Sequence, residues 1–306
     1  MSGPGSPRAA SIENEIPFIA GLHEIADRYD AILCDVWGVL IDGKRHFPRA
    51  AQAMRMFRAA GGAVVLVTNA SRPDAEVRRQ LLGLGLTADA FDDLVSAGEL
   101  TLREIVARKG QVCHHLGPPR DKGLFEEAGR RLGAPLPMAG PEAADFVVCT
   151  GLDNEREESP SDYDARLAAM RARGLPMLCA NPDIVVHVGA DLLWCAGALA
   201  ERYAAMGGEV HLYGKPHPPI YREALSRIAA LRKGAPPLSR ILAVGDGAQT
   251  DLAGAARAGI GCLFVTDGIH GDDLHPGGGA LDGRALEALF ADAKARPVAL
   301  AREIFW

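Results

Sequence analysis

The sequence predicts an α/β protein with a doubly wound parallel sheet and a second strand-helix unit inserted into it. Three observations carry this. Short apolar runs occur at Ala31–Cys34, Ala63–Val67, Phe146–Cys149, Met177–Ala180, Ile184–Val188, Ile241–Val244 and Cys262–Val265. They are rich in Val, Ile and Leu and do not alternate with polar residues, as expected of strands covered on both faces. Helical patterns fall between them, and strand-helix alternation is the signature of a parallel sheet. A further strand-helix set, with the polar acidic loop Asp153–Asp162, occupies the middle of the chain.

The helices follow from their start and stop signals. One begins at Pro48, a good first-turn residue, places Ala50, Met54 and Phe57 on one side and stops at Gly61-Gly62. Others are expected at about 74–83, 98–108, 122–132, 161–173, 196–206, 218–232, 250–258 and 284–293. At roughly 100–200 residues per domain, 306 residues suit two domains. We place a discontinuous outer domain at 13–96 and 208–306 and an inserted domain at 97–207. Residues 1–12 are small and polar and are expected to be poorly ordered.

Composition excludes several classes. The formal net charge of −6 leaves no basic footprint for nucleic acid or an acidic membrane surface. Every apolar run is too short to span a membrane, and the N-terminus lacks a basic stretch followed by an apolar one, so a cytoplasmic protein is expected. The six cysteines, at 34, 113, 149, 179, 195 and 262, form no CxxC pair, which argues against a zinc site. Cys34, Cys149, Cys179 and Cys262 sit in or beside apolar runs and read as buried small hydrophobes.

Chemistry concentrates in four segments, three of which end a predicted strand, where ligands bind in parallel α/β sheets. In AILCDVWGVLIDG, Asp35 directly follows a strand. A carboxylate there can attack phosphorus or hold a hard cation; the plainer reading is a loop cap. Thr68 and Asn69 end the strand AVVLVT and can donate to an anion, or merely form a turn. Lys215 lies between Gly214 and Pro216, whose rigid flanks favour a placed charge over a solvated one. In VGDGAQTD, Asp246 and Asp251 straddle a strand-helix junction. One can reach a metal with the other behind it, although Asp251 also suits an ordinary helix N-terminus.

The segments in this order resemble the haloacid dehalogenase superfamily, specifically its class IIA branch of NagD-like and pyridoxal-phosphate-phosphatase-like hydrolases. The resemblance covers the chain from about residue 25. It rests on DVWGVL at 35–40, VTNAS at 67–71, SAGEL at 96–100, CTGLD at 149–153, ANPDIV at 180–185, GALAERY at 197–203, GKPHPPIY at 214–221 and GDGAQTD at 245–251. It implies a Rossmann-like core with an inserted α/β cap of the C2 type. It further implies a Mg²⁺-dependent phosphatase acting on a small phosphorylated metabolite, and a homodimer. Asp35 would become an aspartyl phosphate. Thr68 and Asn69 would bind phosphoryl oxygens, and Lys215 would neutralise charge. Asp35, Asp246 and the backbone carbonyl of Trp37 would hold Mg²⁺, supported by Asp251.

Position 37 departs from the pattern, with Asp-x-Trp where the family's phosphatases carry Asp-x-Asp. Indole has no proton to transfer near neutral pH. Loss of a general acid–base typically costs about 10²–10⁴-fold in rate. Three readings follow: a slow phosphatase or one restricted to good leaving groups; replacement of the acid by Asp42 or His217; or a weakly catalytic or inactive phosphometabolite-binding protein. A phosphotransferase or mutase would need the acid–base residue just as much. Asp42 also reads as a turn residue before Gly43, and His217 as a helix-start residue. His187, Trp194 and Cys195 lie in the segment that faces the active site in related enzymes, but core packing explains them equally. His114-His115 lie at an expected strand of the inserted domain and read as surface histidines, and His270 and His275 read as loop residues.

Overall fold

The computed structural model describes residues 16–188 and 191–306. The expected poorly ordered segment 1–12 lies outside the described residues, as does the side chain of His187. The chain order is β1 (Ala31–Cys34), α1 (Pro48–Ala59), β2 (Ala63–Thr68), α2 (Asp74–Gly83), β3 (Asp93–Ser96), α3 (Ala97–Ala107), β4 (Cys113–Leu116) and α4 (Gly123–Leu132). There follow β5 (Phe146–Cys149), α5 (Asp164–Ala172), β6 (Met177–Cys179), β7 (Val185–Val188), β8 (Asp191–Trp194), α6 (Ala196–Ala205), β9 (Val210–Leu212) and α7 (Pro218–Leu231). The chain closes with β10 (Ile241–Gly245), α8 (Ala253–Ala258), β11 (Gly261–Val265), α9 (Gly271–Leu274), α10 (Gly283–Ala293) and β12 (Ala299–Ala301).

Six strands form one parallel sheet in the order β12-β11-β10-β1-β2-β3. Alternate side chains of each strand enter opposite layers. Ile32, Cys34, Val64 and Leu66 pack with Met54 and Phe57 of α1 and Val77 and Leu81 of α2. Ala31, Leu33, Val65 and Val67 pack with Ile220 and Ile228 of α7, Ala255 of α8 and Phe290 of α10. Both faces are covered, which is why these strands tolerate unbroken apolar runs. Phe57 is 2% exposed, so truncation to Ala should cost about 3–5 kcal/mol.

Four strands form a second parallel sheet, β4-β5-β6-β9. It too has two layers, one holding Leu167, Met170, Leu199 and Tyr203 and the other Leu102, Ile105, Leu124 and Phe125. This sheet reaches Leu212, past the boundary placed at 207. The Ile184–Val188 run is not a strand covered on both faces. Its residues 185–188 pair antiparallel with β8 in a two-stranded hairpin on which Leu192 and Trp194 are exposed. Near residue 250 the expected helix begins as a π-turn over Ala248–Leu252 and becomes α-helical only at Ala253. Among the described residues no helix is long and apolar enough to cross a membrane.

Candidate active site

The central position of β1, between β2 and β10, fixes the site. Cys34 is level with Leu66 on one side and Val244 on the other. The residues just beyond these strands therefore emerge together at their carboxyl ends. They are Asp35, Asn69 and Asp246, with Thr68 the last residue of β2. The Asp35 N–H donates to Val244 O at 2.8 Å, extending the ladder by one residue. Lys215 arrives from the loop between β9 and α7, and Asp251 from the π-turn after β10.

Lys215 is 3% exposed, and its ammonium bridges two carboxylates: Nζ lies 2.5 Å from Asp35 Oδ1 and 2.8 Å from Asp251 Oδ1. Asp35, Asp246 and Asp251 are all buried, and each offers an oxygen within 4.8 Å of the other two. Burial pushes the Asp35 carboxyl well above the usual carboxylate range, and the Asp251 charge adds to this against the pull of Lys215. Burial, then the charge of Asp251, pushes Asp246 up to about 7. Burial alone would lower Lys215, but the Asp251 and Asp35 carboxylates outweigh it and hold the ammonium charged. One cation thus faces three carboxyls. The all-oxygen donor set and its excess negative charge fit a hard divalent cation.

Asp246 is held from two sides. The Ile269 N–H donates to its Oδ2 at 2.7 Å. Gly38, at φ +77°, and Gly268 leave it room: a Cβ on either would lie 1.9 or 2.1 Å from Oδ2. Asp251 Oδ2 accepts from Gly247 N–H at 3.2 Å and from the Thr250 hydroxyl at 3.3 Å. A Cβ on Gly245 would collide with the Asp251 carboxyl, 2.2 Å from Cγ.

Thr68 is buried at the end of β2, its hydroxyl accepting the Ala70 N–H at 3.3 Å. Asn69 turns the other way. Its Oδ1 accepts the Lys215 N–H at 2.6 Å, which fixes the orientation of the amide. Its Nδ2 then donates to Lys215 O at 3.0 Å and to Asp183 Oδ1 at 2.7 Å. Both amide hydrogens are committed, so in this arrangement the side chain has none left for a phosphoryl oxygen. That capacity belongs to the Thr68 hydroxyl and to backbone N–H groups. Asp183, in ANPDIV, was not singled out in the sequence; nothing local marks a contact between residues so far apart in the chain.

The remaining candidates fall elsewhere. The Trp37 indole is partly buried over the following turn, where a Cβ on Gly43 would lie 2.4 Å from Cζ3. Asp42 closes that turn, its Oδ1 accepting the Lys44 and Arg45 N–H groups at 2.9 Å each. Burial is the largest single influence and raises its pKa, but these bonds, Arg45 Nε and the Arg45 charge together outweigh it and lower it, the wrong direction for an acid. His217 precedes α7; burial, then Arg257, lowers its pKa. His114 and His115 are not surface residues: both are partly buried on β4, His114 Nδ1 bonding Ala139 O and His115 Nε2 bonding Thr150 Oγ1. Cys195 is buried at the start of α6, and Trp194 is 40% exposed. His275 is buried, with Nε2 2.8 Å from Thr266 Oγ1; His270 Nε2 accepts the Ala248 N–H at 3.4 Å. All six cysteines are free and buried.

Comparison with known proteins agrees with this geometry. Residues 32–131 match a haloacid dehalogenase-like hydrolase family model, and residues 212–281 match a HAD-hydrolase-like one. The chain is 27% identical over 301 residues to the D-glycerol 3-phosphate phosphatase of Mycobacterium tuberculosis, spanning 92% of this chain and 72% of that one. It is 25% identical over 247 residues to the ribonucleotide monophosphatase NagD of Escherichia coli K12, spanning 79% and 90%. A crystal structure of a haloacid dehalogenase-like family hydrolase from Brucella suis 1330 superposes with a TM-score of 0.81 at 38% identity, covering 94% of this chain and all of that one. The sheet order, the buried acids around Lys215 and these matches lead to one conclusion: the chain belongs to the haloacid dehalogenase-like hydrolases, in their class IIA branch.

Proposed function

We propose that the chain is a Mg²⁺-dependent phosphoric monoester hydrolase acting on a small phosphorylated metabolite through an aspartyl phosphate on Asp35. The observation that carries this is the Lys215 ammonium, buried and shared between Asp35 and Asp251 beside Asp246. Phosphoryl transfer asks mainly for positioning and for neutralisation of the transferred oxygens. Asp35 Oδ attacks phosphorus, and the bond to the leaving oxygen breaks. Water then attacks phosphorus of the aspartyl phosphate and the bond to Asp35 Oδ breaks, the proton that water loses passing to solvent, so that the Asp35 carboxylate and inorganic phosphate are released. Lys215 offsets charge on the nucleophile and the transferred group; Thr68 and the backbone around Asn69 orient it. Asp35, Asp246 and the Trp37 carbonyl would hold Mg²⁺, with Asp251 behind them, and the ion would supply Lewis-acid neutralisation of phosphoryl charge. The second sheet would act as a cap that limits substrates to small molecules. The relatives named above act on a glycerol phosphate and on ribonucleotides, which makes such metabolites the first to test.

One observation favours a second reading, a phosphometabolite-binding protein with little turnover: residue 37 is an indole packed on the Gly43 turn, which offers no proton to a leaving group. A phosphate-release assay with and without Mg²⁺, over a panel of sugar, glycerol, nucleotide and vitamin phosphates, separates the two. Turnover that disappears in Asp35→Asn supports the hydrolase. Binding without turnover across the panel removes it. The homodimer belongs to this reading as well, and a monomeric mass by light scattering would exclude it.

A further inference from the structure

Asn69 is the meeting point of three chain segments. It directly follows β2, clasps the backbone of Lys215 at both N–H and C=O, and donates to Asp183. Asp183 belongs to the segment linking β6 of the second sheet to the hairpin. Its backbone is anchored there: the Gly197 N–H of α6 donates to Asp183 O at 3.1 Å, and the Asp183 N–H donates to Asn181 Oδ1 at 3.0 Å. The fit is close. A Cβ on Gly197 would lie 2.2 Å from Pro182 O, and one on Gly214 would lie 2.3 Å from Asn69 Oδ1 and 2.7 Å from Pro182 Cδ. The second sheet therefore touches the site through a carboxylate whose partner also fixes the backbone that carries Nζ to Asp35.

We propose that Asp183 is a positioning residue: by accepting from Asn69 it transmits the seating of the second sheet to Lys215, and so to the Asp35 nucleophile. The inference rests on the hydrolase reading for its kinetic readout but not for its structural one. Three features distinguish it from plain structural support. The role needs an acceptor, not a charge, so Asp183→Asn keeps it and Asp183→Ala does not. It acts through Asn69, so the two sites are coupled. It bears on placement of the reacting groups, so kcat changes more than KM.

The test combines steady-state kinetics on a turned-over phosphate ester with amide hydrogen exchange of Lys215 by NMR. Misplacement of a reacting group by about 1 Å can cost 10²-fold. Asp183→Ala is therefore expected to lower kcat by about 10- to 100-fold with KM changed less than about threefold. Asp183→Asn should restore kcat to within about threefold of wild type. In an Asn69→Ala background, Asp183→Ala should add nothing. Exchange of the Lys215 amide should accelerate in Asp183→Ala and stay slow in Asp183→Asn. Equal losses in Asp183→Ala and Asp183→Asn, or additive losses with Asn69→Ala, overturn the proposal. If wild type turns nothing over while Lys215 exchange follows this pattern, the clasp stands and the hydrolase reading falls. If wild type is active and Asp183→Ala matches it in rate and exchange, the clasp falls alone.

Discussion

Gly38 faces Asp246 so closely that a Cβ on the glycine would lie 1.9 Å from the Asp246 Oδ2 oxygen. Gly38 also has φ +77°, a left-handed conformation that costs an L-residue roughly 1–2 kcal/mol. Gly38→Ala is therefore expected to do two things. It should destabilise the fold by at least about 1 kcal/mol, and it should displace Asp246 enough to lower Mg²⁺-dependent turnover by at least about tenfold. Denaturant melts and Mg²⁺ titrations of activity read the two effects separately. Unchanged Mg²⁺ dependence would show that Gly38 and Asp246 do not constrain one another.

Trp37 makes a prediction about leaving groups. On the hydrolase reading, position 37 supplies no acid to protonate the leaving oxygen, so rates should depend steeply on its basicity. Aryl phosphates should be turned over much faster than alkyl phosphates. Trp37→Asp should narrow that gap by raising alkyl turnover about 10- to 100-fold, within the usual range for a general acid. It should also cost stability, because the indole packs against the 41–43 turn. Rates against leaving-group pKa for both proteins decide the matter; parallel lines would remove the argument.

The acid cluster predicts metal-linked stability. Three buried carboxyls lie together, and the one ammonium among them pairs with only Asp35 and Asp251, so in the cation-free protein the acids repel one another. Mg²⁺ should raise Tm, by about 2.7 kcal/mol of stability at a hundredfold excess over its Kd. Asp246→Asn should raise the Tm of the chelator-treated protein and abolish the Mg²⁺ increment. A melt that is indifferent to Mg²⁺ in wild type would count against a cation at this cluster.

His115 predicts an acid-side loss of stability away from the site. Burial lowers its pKa to about 4, below the ordinary value near 6.5. Below pH 6.5 the unfolded chain therefore takes up a proton that the folded chain refuses. Stability should fall as pH drops from 6.5 towards 4, by up to about 3 kcal/mol, and this contribution stops changing below 4. Urea melts of wild type and His115→Gln across that window should diverge, with the variant less pH-dependent. Matching slopes would show that His115 titrates normally in the fold.

The sequence carried the first sheet better than the second. β1, β2 and β10 are unbroken apolar runs because helices cover both of their faces, and that pattern is local. β4 reads CHHL and is expected as a strand around His114-His115 although it is not an apolar run; β9 reads VHL, three residues too few for their alternation to mark a strand, so its strand character comes from neighbours in the sheet. Ile184–Val188 looked like a covered strand because an apolar run does not say what covers it. At the site, the strand-end rule led to Asp35, Thr68, Asn69 and Asp246, and the flanking Gly and Pro to Lys215. The Lys215–Asp251 pair and the Asn69–Asp183 bond were not legible, since each joins segments that only the folded topology brings together.

The place of β1 in its sheet has a consequence for how the protein is made. Its two neighbours are β2, which follows closely in the chain, and β10, which begins only at Ile241. At translation rates of about 5–20 residues per second, β10 leaves the ribosome roughly ten to forty seconds after β1. Throughout that interval one edge of the nascent β1-β2-β3 ribbon is bare, and for most of it Asp35 also lacks the ammonium of Lys215, which is made shortly before β10. The β4-β5-β6-β9 sheet, encoded entirely within the gap, can finish first. The last third of the chain then supplies both the missing strand and the missing charges, so a truncated product ending before Lys215 would expose a sticky parallel edge and hold no working site.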